Sequence, residues 1–237
     1  YSQQTAWFYG GSEARQNVED HTLGFYQALV EARIPFDMLH DRLLDAAHVG
    51  RYKALILPNI AALSDEQCEQ LRAYVRRGGG IVATFETSLY DEWGKPLGVQ
   101  YSGAVDRGMM NSYLTVRKDP VTGRHHPILR GLEDAPRIIN GVQRVRVRVT
   151  ETLSNPPLTL VPSYPDLPME EVYPRPETTD TPELYPRQRG LGRVVYFPWD
   201  ADRTYWEVLC ADHGRLLANA VDWAANEPRP VVVEGRG

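Results

Sequence analysis

The apolar residues of this chain change period from one stretch to the next, and the changes mark its elements. From about Glu13, Val18, Thr22, Phe25 and Leu29 recur at helical spacing, which predicts an amphipathic helix ending near Arg33. Ile34 to Leu39 reads as a short strand. Asp41 to Gly50 is a polar connection with weak helical character, and Lys53 to Pro58 carries the run Ala54-Leu55-Ile56-Leu57 of a buried strand, with Asn59 at its exit. The stretch Ser64 to Asp91 is the most fully specified. Ser64 and Gln67 have capping-box spacing, and Leu63 and Cys68 stand at the two positions of a hydrophobic staple. Cys68, Leu71, Tyr74 and Val75 line one helical face, Arg76 and Arg77 put cations in the last turn, and Gly78 to Gly80 stop the helix. Ile81 to Phe85 is short, apolar and rich in β-branched residues, which predicts a strand covered on both faces, with Glu86, Thr87 and Ser88 at its exit. Strands and helices that alternate with short links specify a parallel sheet with right-handed crossovers and helices on both faces.

The pattern weakens beyond Trp93, where Gly94, Pro96, Gly98 and Gly103 predict no long element before a short strand at Ser112 to Val116. Arg144 to Val149 alternates Arg with Val, as expected of an edge strand with one buried face and solvated arginines. Asn155 to Pro186 holds Pro156, Pro157, Pro162, Pro165, Pro168, Pro174, Pro176, Pro182 and Pro186; this density excludes a helix and permits only extended segments and edge strands, an arm inserted at 155–187. Within it, Ser163 to Arg175 mixes Tyr, Met and Leu with carboxylates, a composition suited to contact with another surface. Gly190 and Gly192 lead into a last buried strand, Arg193 to Phe197. Thr204 and Glu207 have capping-box spacing, and Leu209, His213, Leu216, Ala220 and Ala224 predict a helix running nearly to Pro228. The expected organisation is one α/β domain over 1–227 and a tail or linker over 228–237.

At 237 residues the chain can bury a sizeable core, and its net charge of -5 gives no basic face for nucleic acid. No apolar run approaches the length of a membrane span, so a soluble protein without a membrane partner is expected, with the cytoplasm the favoured compartment. Cys68 and Cys210 both fall in predicted helices, where burial as small apolar residues is expected rather than a disulfide or a metal pair. Tyr1 to Thr5 reads as the end of a strand, followed by an aromatic-rich loop with Trp7, Phe8 and Tyr9 before the Gly10-Gly11 turn, and the absence of an initial methionine suits a piece of a longer polypeptide.

Ligands of open α/β sheets gather outside the carboxyl ends of the strands. That rule brings together Gln4 and Thr5, Asn59, Glu86 to Ser88, and Trp199 to Arg203. Glu86, Asp200 and Asp202 are the candidate catalytic carboxylates, as a pair of carboxyl groups can serve as acid and base. Gln4, Trp7, Asn59, Thr87, Ser88, Trp199 and Arg203 are the candidate ligand contacts, and the aromatic residues Trp7, Tyr9, Trp93, Trp199, Tyr205 and Trp206 suggest a carbohydrate surface. Asp200, Asp202 and Arg203 equally suit an ion-pair cluster that caps the last helix. His125 and His126 point to opposite faces of an extended chain, which disfavours a shared metal ion.

The order of elements, the unit SDEQCEQLRAYVRRGGGIVATFET from Ser64, HPILRGL at His126 to Leu132, and GRVVYFPWDADRTYWEVLCADHGRLLANAVDWA at Gly192 to Ala224 resemble the class I glutamine-amidotransferase-like fold. Within it the chain looks most like the trimerisation domain of family 42 β-galactosidases and the related domain that follows a catalytic barrel in glycosidase-like proteins. The resemblance implies a flavodoxin-like, doubly wound and mostly parallel sheet with an antiparallel edge. It also implies self-association as a homodimer or homotrimer, a catalytic barrel in the same longer polypeptide, and no cofactor. Working amidotransferases of this superfamily carry a cysteine in a G-x-C-x-G turn at a strand exit. Here the matching exit reads Thr84-Phe85-Glu86-Thr87-Ser88, with neither the cysteine nor the flanking glycines, so the resemblance implies a scaffold without its nucleophile.

Overall fold

A computed structural model describes residues 2–9, 13–88, 99–135, 137–149, 153–163 and 178–227. The Gly10-Gly11 turn, Trp93, the arm over 164–177 and the tail over 228–237 lie outside the described residues.

Helix α1 spans Gln3–Tyr9, so Gln3 to Thr5, expected to end a strand, are instead helical. A π-helical stretch over Arg15–Glu19 runs into α2 (Asp20–Glu31), which buries Val18, Phe25 and Leu29 on the predicted face. Residues 34–39 are extended but form no strand, and the polar connection holds the short α3 (Ala46–Val49) ahead of β1 (Ala54–Leu57). The capping box is formed: the backbone N–H of Ser64 donates to Gln67 Oε1 (2.8 Å), that of Gln67 donates to Ser64 Oγ (3.3 Å), and α4 (Asp65–Arg76) follows. Next comes β2 (Gly80–Thr84), buried along its whole length.

β3 (Val99–Arg107) is a nine-residue strand where the glycines had predicted irregular chain. It pairs antiparallel with β6 (Gln143–Val149), and a register shift between Tyr101 and Val105 accommodates the Ser-Gly-Ala stretch as a bulge. β4 (Tyr113–Val116) lies between β5 (Arg137–Ile139) and β7 (Leu158–Val161) in a separate antiparallel sheet. The main sheet has the order β1-β2-β9-β8, completed by β8 (Tyr185–Arg189) and β9 (Gly192–Phe197). Its first three strands are parallel, and β8 runs antiparallel at the edge. The antiparallel edge of this sheet is therefore Tyr185–Arg189, and the Arg-Val strand belongs to the ribbon with β3.

Alternate residues of β2 enter different cores. Ile81 and Ala83 join Leu55, Leu57 and the inner face of α4, whereas Val82 joins Phe25, Leu29 and the residues of α5 (Ala201–Val208) and α6 (Ala211–Ala225). The result is a mixed α/β fold with helices on both sides of a partly parallel sheet. α6 packs very closely on it: a Cβ added to Gly80 would lie 2.2 Å from the carbonyl oxygen of Ala224.

The single helix expected from Thr204 is two. α5 already begins at Ala201, Leu209 turns left-handed (φ 53°), and Cys210 is the residue ahead of α6 rather than a residue within a helix. A heptad-like row of Leu and Ala cannot reveal such a break, because both helices bury the same kind of face. Cys68 is fully buried in α4 and Cys210 half-buried, and both thiols are free. Among the described residues no helix is long and apolar enough to cross a membrane.

Candidate functional site

The exits of β1, β2 and β9 converge, and the first two leave their strands through tight turns. Asn59 follows β1 with φ 46°, and Phe85 follows β2 with φ 48°. A bulky side chain rarely adopts that conformation, which costs on the order of 1–3 kcal/mol unless its surroundings fix it. Here the backbone N–H of Phe85 donates to Phe197 O (2.8 Å) and Tyr196 Oη donates to Phe85 O (2.6 Å). The sharp turn thus exists without the glycines that had seemed necessary for it, and Ser88 (φ 63°) closes it by donating its backbone N–H to Ile60 O (2.9 Å).

Asp202, fully buried at the start of α5, is the hub of the cluster. Its Oδ1 lies 2.7 Å from His21 Nδ1 of α2 and accepts the backbone N–H of Arg203 (3.0 Å); its Oδ2 accepts from Thr84 Oγ1 (2.8 Å). Thr84 Oγ1 in turn accepts the backbone N–H of Asn59 (3.0 Å). The His21 ring stacks on Phe85, its own Nε2 buried without a hydrogen-bond partner. One carboxylate therefore ties a helix and two strand exits together.

Glu86 is also buried. It accepts from Tyr9 Oη (2.5 Å), its backbone N–H donates to Asn59 Oδ1 (3.1 Å), and Asn59 Nδ2 donates to Asn17 O (2.7 Å) and Tyr9 Oη (3.3 Å). Thr87 Oγ1 donates to the backbone at Thr84 (2.6 Å) and Leu57 (3.1 Å). Thr5 Oγ1 accepts the backbone N–H of Ala62 (3.2 Å), which fastens α1 over the same region.

Asp200 sits apart from this hub. Its Oδ1 accepts the backbone N–H of Gln143 (3.1 Å) and a longer bond from Thr204 Oγ1 (3.4 Å), and Arg203 approaches Oδ2 at 4.0 Å. Burial pushes its carboxyl up to about 6 against the pull of the cations beside it. Arg203 Nε donates to Glu207 (2.8 Å). Trp199 is wholly buried and donates its indole N–H to Glu183 O (3.0 Å).

Of the predicted carboxylates, Glu86 and Asp202 are linked through Asn59 and Thr84, whereas Asp200 stands apart from them. Glu86, Asp200 and Asp202 line none of the cavities beside α4, β1 and the end of β4 among the described residues. Thr87 and Ser88 border a mostly apolar cavity of about 290 Å³ beside α4. Gln4 and Trp7 face outward on α1, with Trp7 86% exposed. Of the aromatic set, Trp199 and Tyr205 are buried, so they offer no face to a sugar. His126 is the residue ahead of a single 3-10 turn and accepts the backbone N–H of Ile128 (3.3 Å), with burial holding it down near 4.

Two participants were not foreseen. His21 was hidden because a lone histidine on a helix reads as surface. Arg144, expected in solvent, is buried: its Nε donates to Glu183 Oε1 (2.6 Å) and its Nη1 to Asp106 Oδ2 (3.2 Å). An acidic partner 39 residues away left no local signal.

The family described as the β-galactosidase trimerisation domain matches residues 1–112. No curated protein sequence matches the chain. Among solved structures, it is similar to the β-galactosidase from Bacillus circulans sp. alkalophilus, with 18% identity and a TM-score of 0.59 over 83% of this chain and 27% of that one. It is similar to α-L-fucosidase isoenzyme 2 from Paenibacillus thiaminolyticus, with 18% identity and a TM-score of 0.62 over 88% of this chain and 30% of that one. A ThuA-like protein from Parabacteroides merdae, with 15% identity and a TM-score of 0.63, is matched over 92% of this chain and 88% of its own. These likenesses show a shared fold, and the chain spans less than a third of the two glycosidases.

Proposed function

We propose that this chain is a non-catalytic, amidotransferase-like domain that holds together copies of a larger glycosidase-like protein. The observation that carries the reading is the closure of the strand-exit cluster. Asp202 is consumed in fixing His21 and Thr84, Glu86 is covered by Tyr9, and neither Cys68 nor Cys210 stands at the β2 exit where an amidotransferase would hold its nucleophile. The parallel β1-β2-β9 core with helices on both faces supports a doubly wound, flavodoxin-like arrangement. The match of residues 1–112 to a trimerisation domain supports self-association, as a trimer in the first instance, and the small share of each glycosidase that the chain spans supports a parent with a separate catalytic barrel. α1 displays Trp7 and Phe8 outward beside the strand exits, which suits a contribution to a neighbouring subunit's or domain's active site.

Sedimentation of the intact longer protein and of a version lacking this domain tests the reading. Trimers that fall to monomers on removal are expected; unchanged stoichiometry removes the assembly role.

A further inference from the structure

The cavity beside α4 has two chemically different ends. Leu57 closes β1, and Thr87 and Ser88 follow the exit of β2, so these residues mark the carboxyl end of the parallel strands. Arg76 closes α4, and Arg189 closes β8 opposite Gly192 at the start of β9, so these mark the other end. Leu71, Val75 and Ile81 form an apolar wall between them. The cavity, about 290 Å³ in volume, therefore runs along β2, and a strand of five residues is about 15 Å long. A long, narrow, apolar channel suits an extended chain and not a compact polar ring.

Each end offers a different polar group. Ser88 is 4% exposed, and its buried Oγ has no hydrogen-bond partner among the described residues. Its backbone N–H is fixed on Ile60 O (2.9 Å), so the hydroxyl can turn about the Cα–Cβ bond toward the channel while the chain stays in place. The neighbouring Thr87 hydroxyl, by contrast, is engaged by the backbone at Thr84 and Leu57. A buried hydroxyl left unpaired is unfavourable, and a polar ligand atom removes that penalty. At the other end the charged residues that border the cavity, among those described, are Arg72, Arg76 and Arg189, with no carboxylate between them. Glu69 holds Arg72 and, at 3.9 Å, Arg76. Two guanidinium groups around one carboxylate keep N–H donors for a second anion. The Arg76 side chain is 66% exposed, which makes this end the mouth.

The geometry points to this channel as a binding site for an acyl carboxylate that carries a second polar group at the far end of its chain. The carboxylate meets the arginines, the methylenes lie along Leu71, Val75 and Ile81, and the distal hydroxyl pairs with Ser88 Oγ. A plain fatty acid leaves Ser88 unpaired, and a neutral alcohol leaves the arginines without their anion. A sugar needs more hydrogen-bond partners than these walls present. The site is separate from the closed carboxylate cluster and goes beyond the assembly role.

Calorimetric titration of the full chain with ω-hydroxydecanoate, decanoate and decanol, each below its micelle concentration, tests the assignment. Saturable one-to-one binding of ω-hydroxydecanoate is expected, with decanoate weaker by about fivefold to tenfold and decanol weaker again. Ser88→Ala is expected to erase the preference for the hydroxy acid while leaving decanoate unchanged. Arg76→Glu, at an exposed side chain outside the core, is expected to weaken both acids by about tenfold and to leave decanol unmoved. Val75→Phe, which narrows the channel, is expected to abolish binding of all three in protein that still unfolds cooperatively. Absence of saturable binding overturns the site. So does equal affinity for the two acids, a preference that survives Ser88→Ala, or an affinity for the acids that Arg76→Glu leaves unchanged.

Discussion

Asp202 distinguishes a structural cluster from a catalytic one at the level of single residues. As an acceptor for His21, Thr84 and the Arg203 backbone, it carries contacts in two helices and one strand exit, all buried. Asp202→Asn keeps the shape but replaces one acceptor oxygen with a donor that faces either His21 or Thr84. A buried partner left unmatched costs on the order of 3 kcal/mol. The expected outcome is a loss of about that size in urea unfolding, with the assembly state unchanged wherever the variant is folded. A variant of unchanged stability would reopen a catalytic reading of the cluster. The placement of Glu86 and Asp202 at neighbouring strand exits was legible because strand exits must meet in a parallel sheet. Their closure was not, since it depends on Tyr9 and His21, whose partners lie 77 and 181 residues away.

At the level of elements, the best-read unit was α4 with β2, because its cap, staple and apolar run are all local. The breaks in the helical regions were less legible. α2 and α5 meet at Gly24, where an added Cβ would stand 1.9 Å from the carbonyl oxygen of Asp202. Two effects compete in Gly24→Ala. Helix propensity favours alanine by about 1 kcal/mol, but the clash is with backbone that cannot swing aside, and overpacking of this kind costs about 1–3 kcal/mol or more. The clash wins because the same movement of α5 would also displace Asp202 from His21 and Thr84. Gly24→Ala is therefore expected to lower stability by at least about 2 kcal/mol in chemical unfolding, and a melting temperature at or above wild type would contradict the close approach of the two helices. The strand β3 escaped a sequence reading for the opposite reason: its glycine marks a bulge inside a strand, which in sequence looks the same as a loop.

For the whole molecule, a buried charged node reinforces the backbone bonds that join β6 to the segment beyond β9, where the N–H of Val145 donates to Pro198 O (2.7 Å) and that of Asp200 to Gln143 O (3.2 Å). Arg144 of β6 reaches Asp106 of β3 and Glu183 just ahead of β8, and Trp199 beyond β9 donates to the Glu183 backbone, so these groups add a side-chain tie between the two-stranded ribbon and the main sheet. Hydrogen bonding from Arg146, and from Arg144 after it, holds the Asp106 carboxyl low despite partial burial. Glu183 goes the other way: complete burial raises it from 4.5 to about 7, against the pull of Arg144. A carboxyl group with a folded pKa above its unfolded one keeps its proton in the native state while the unfolded chain releases it. Its stabilising effect is complete below pH 4.5 and is lost as the pH rises to 7. Glu183→Gln keeps an acceptor for Arg144 but cannot ionise. Relative to that variant, wild type is expected to lose on the order of 3 kcal/mol between pH 4.5 and pH 7, with little further change above it. Asp200 titrates over a lower window in both proteins and cancels from the comparison. Parallel unfolding curves for the two proteins across this range would mean that Glu183 is already ionised against Arg144 at acidic pH, and that the node joins the sheets as a permanent ion pair.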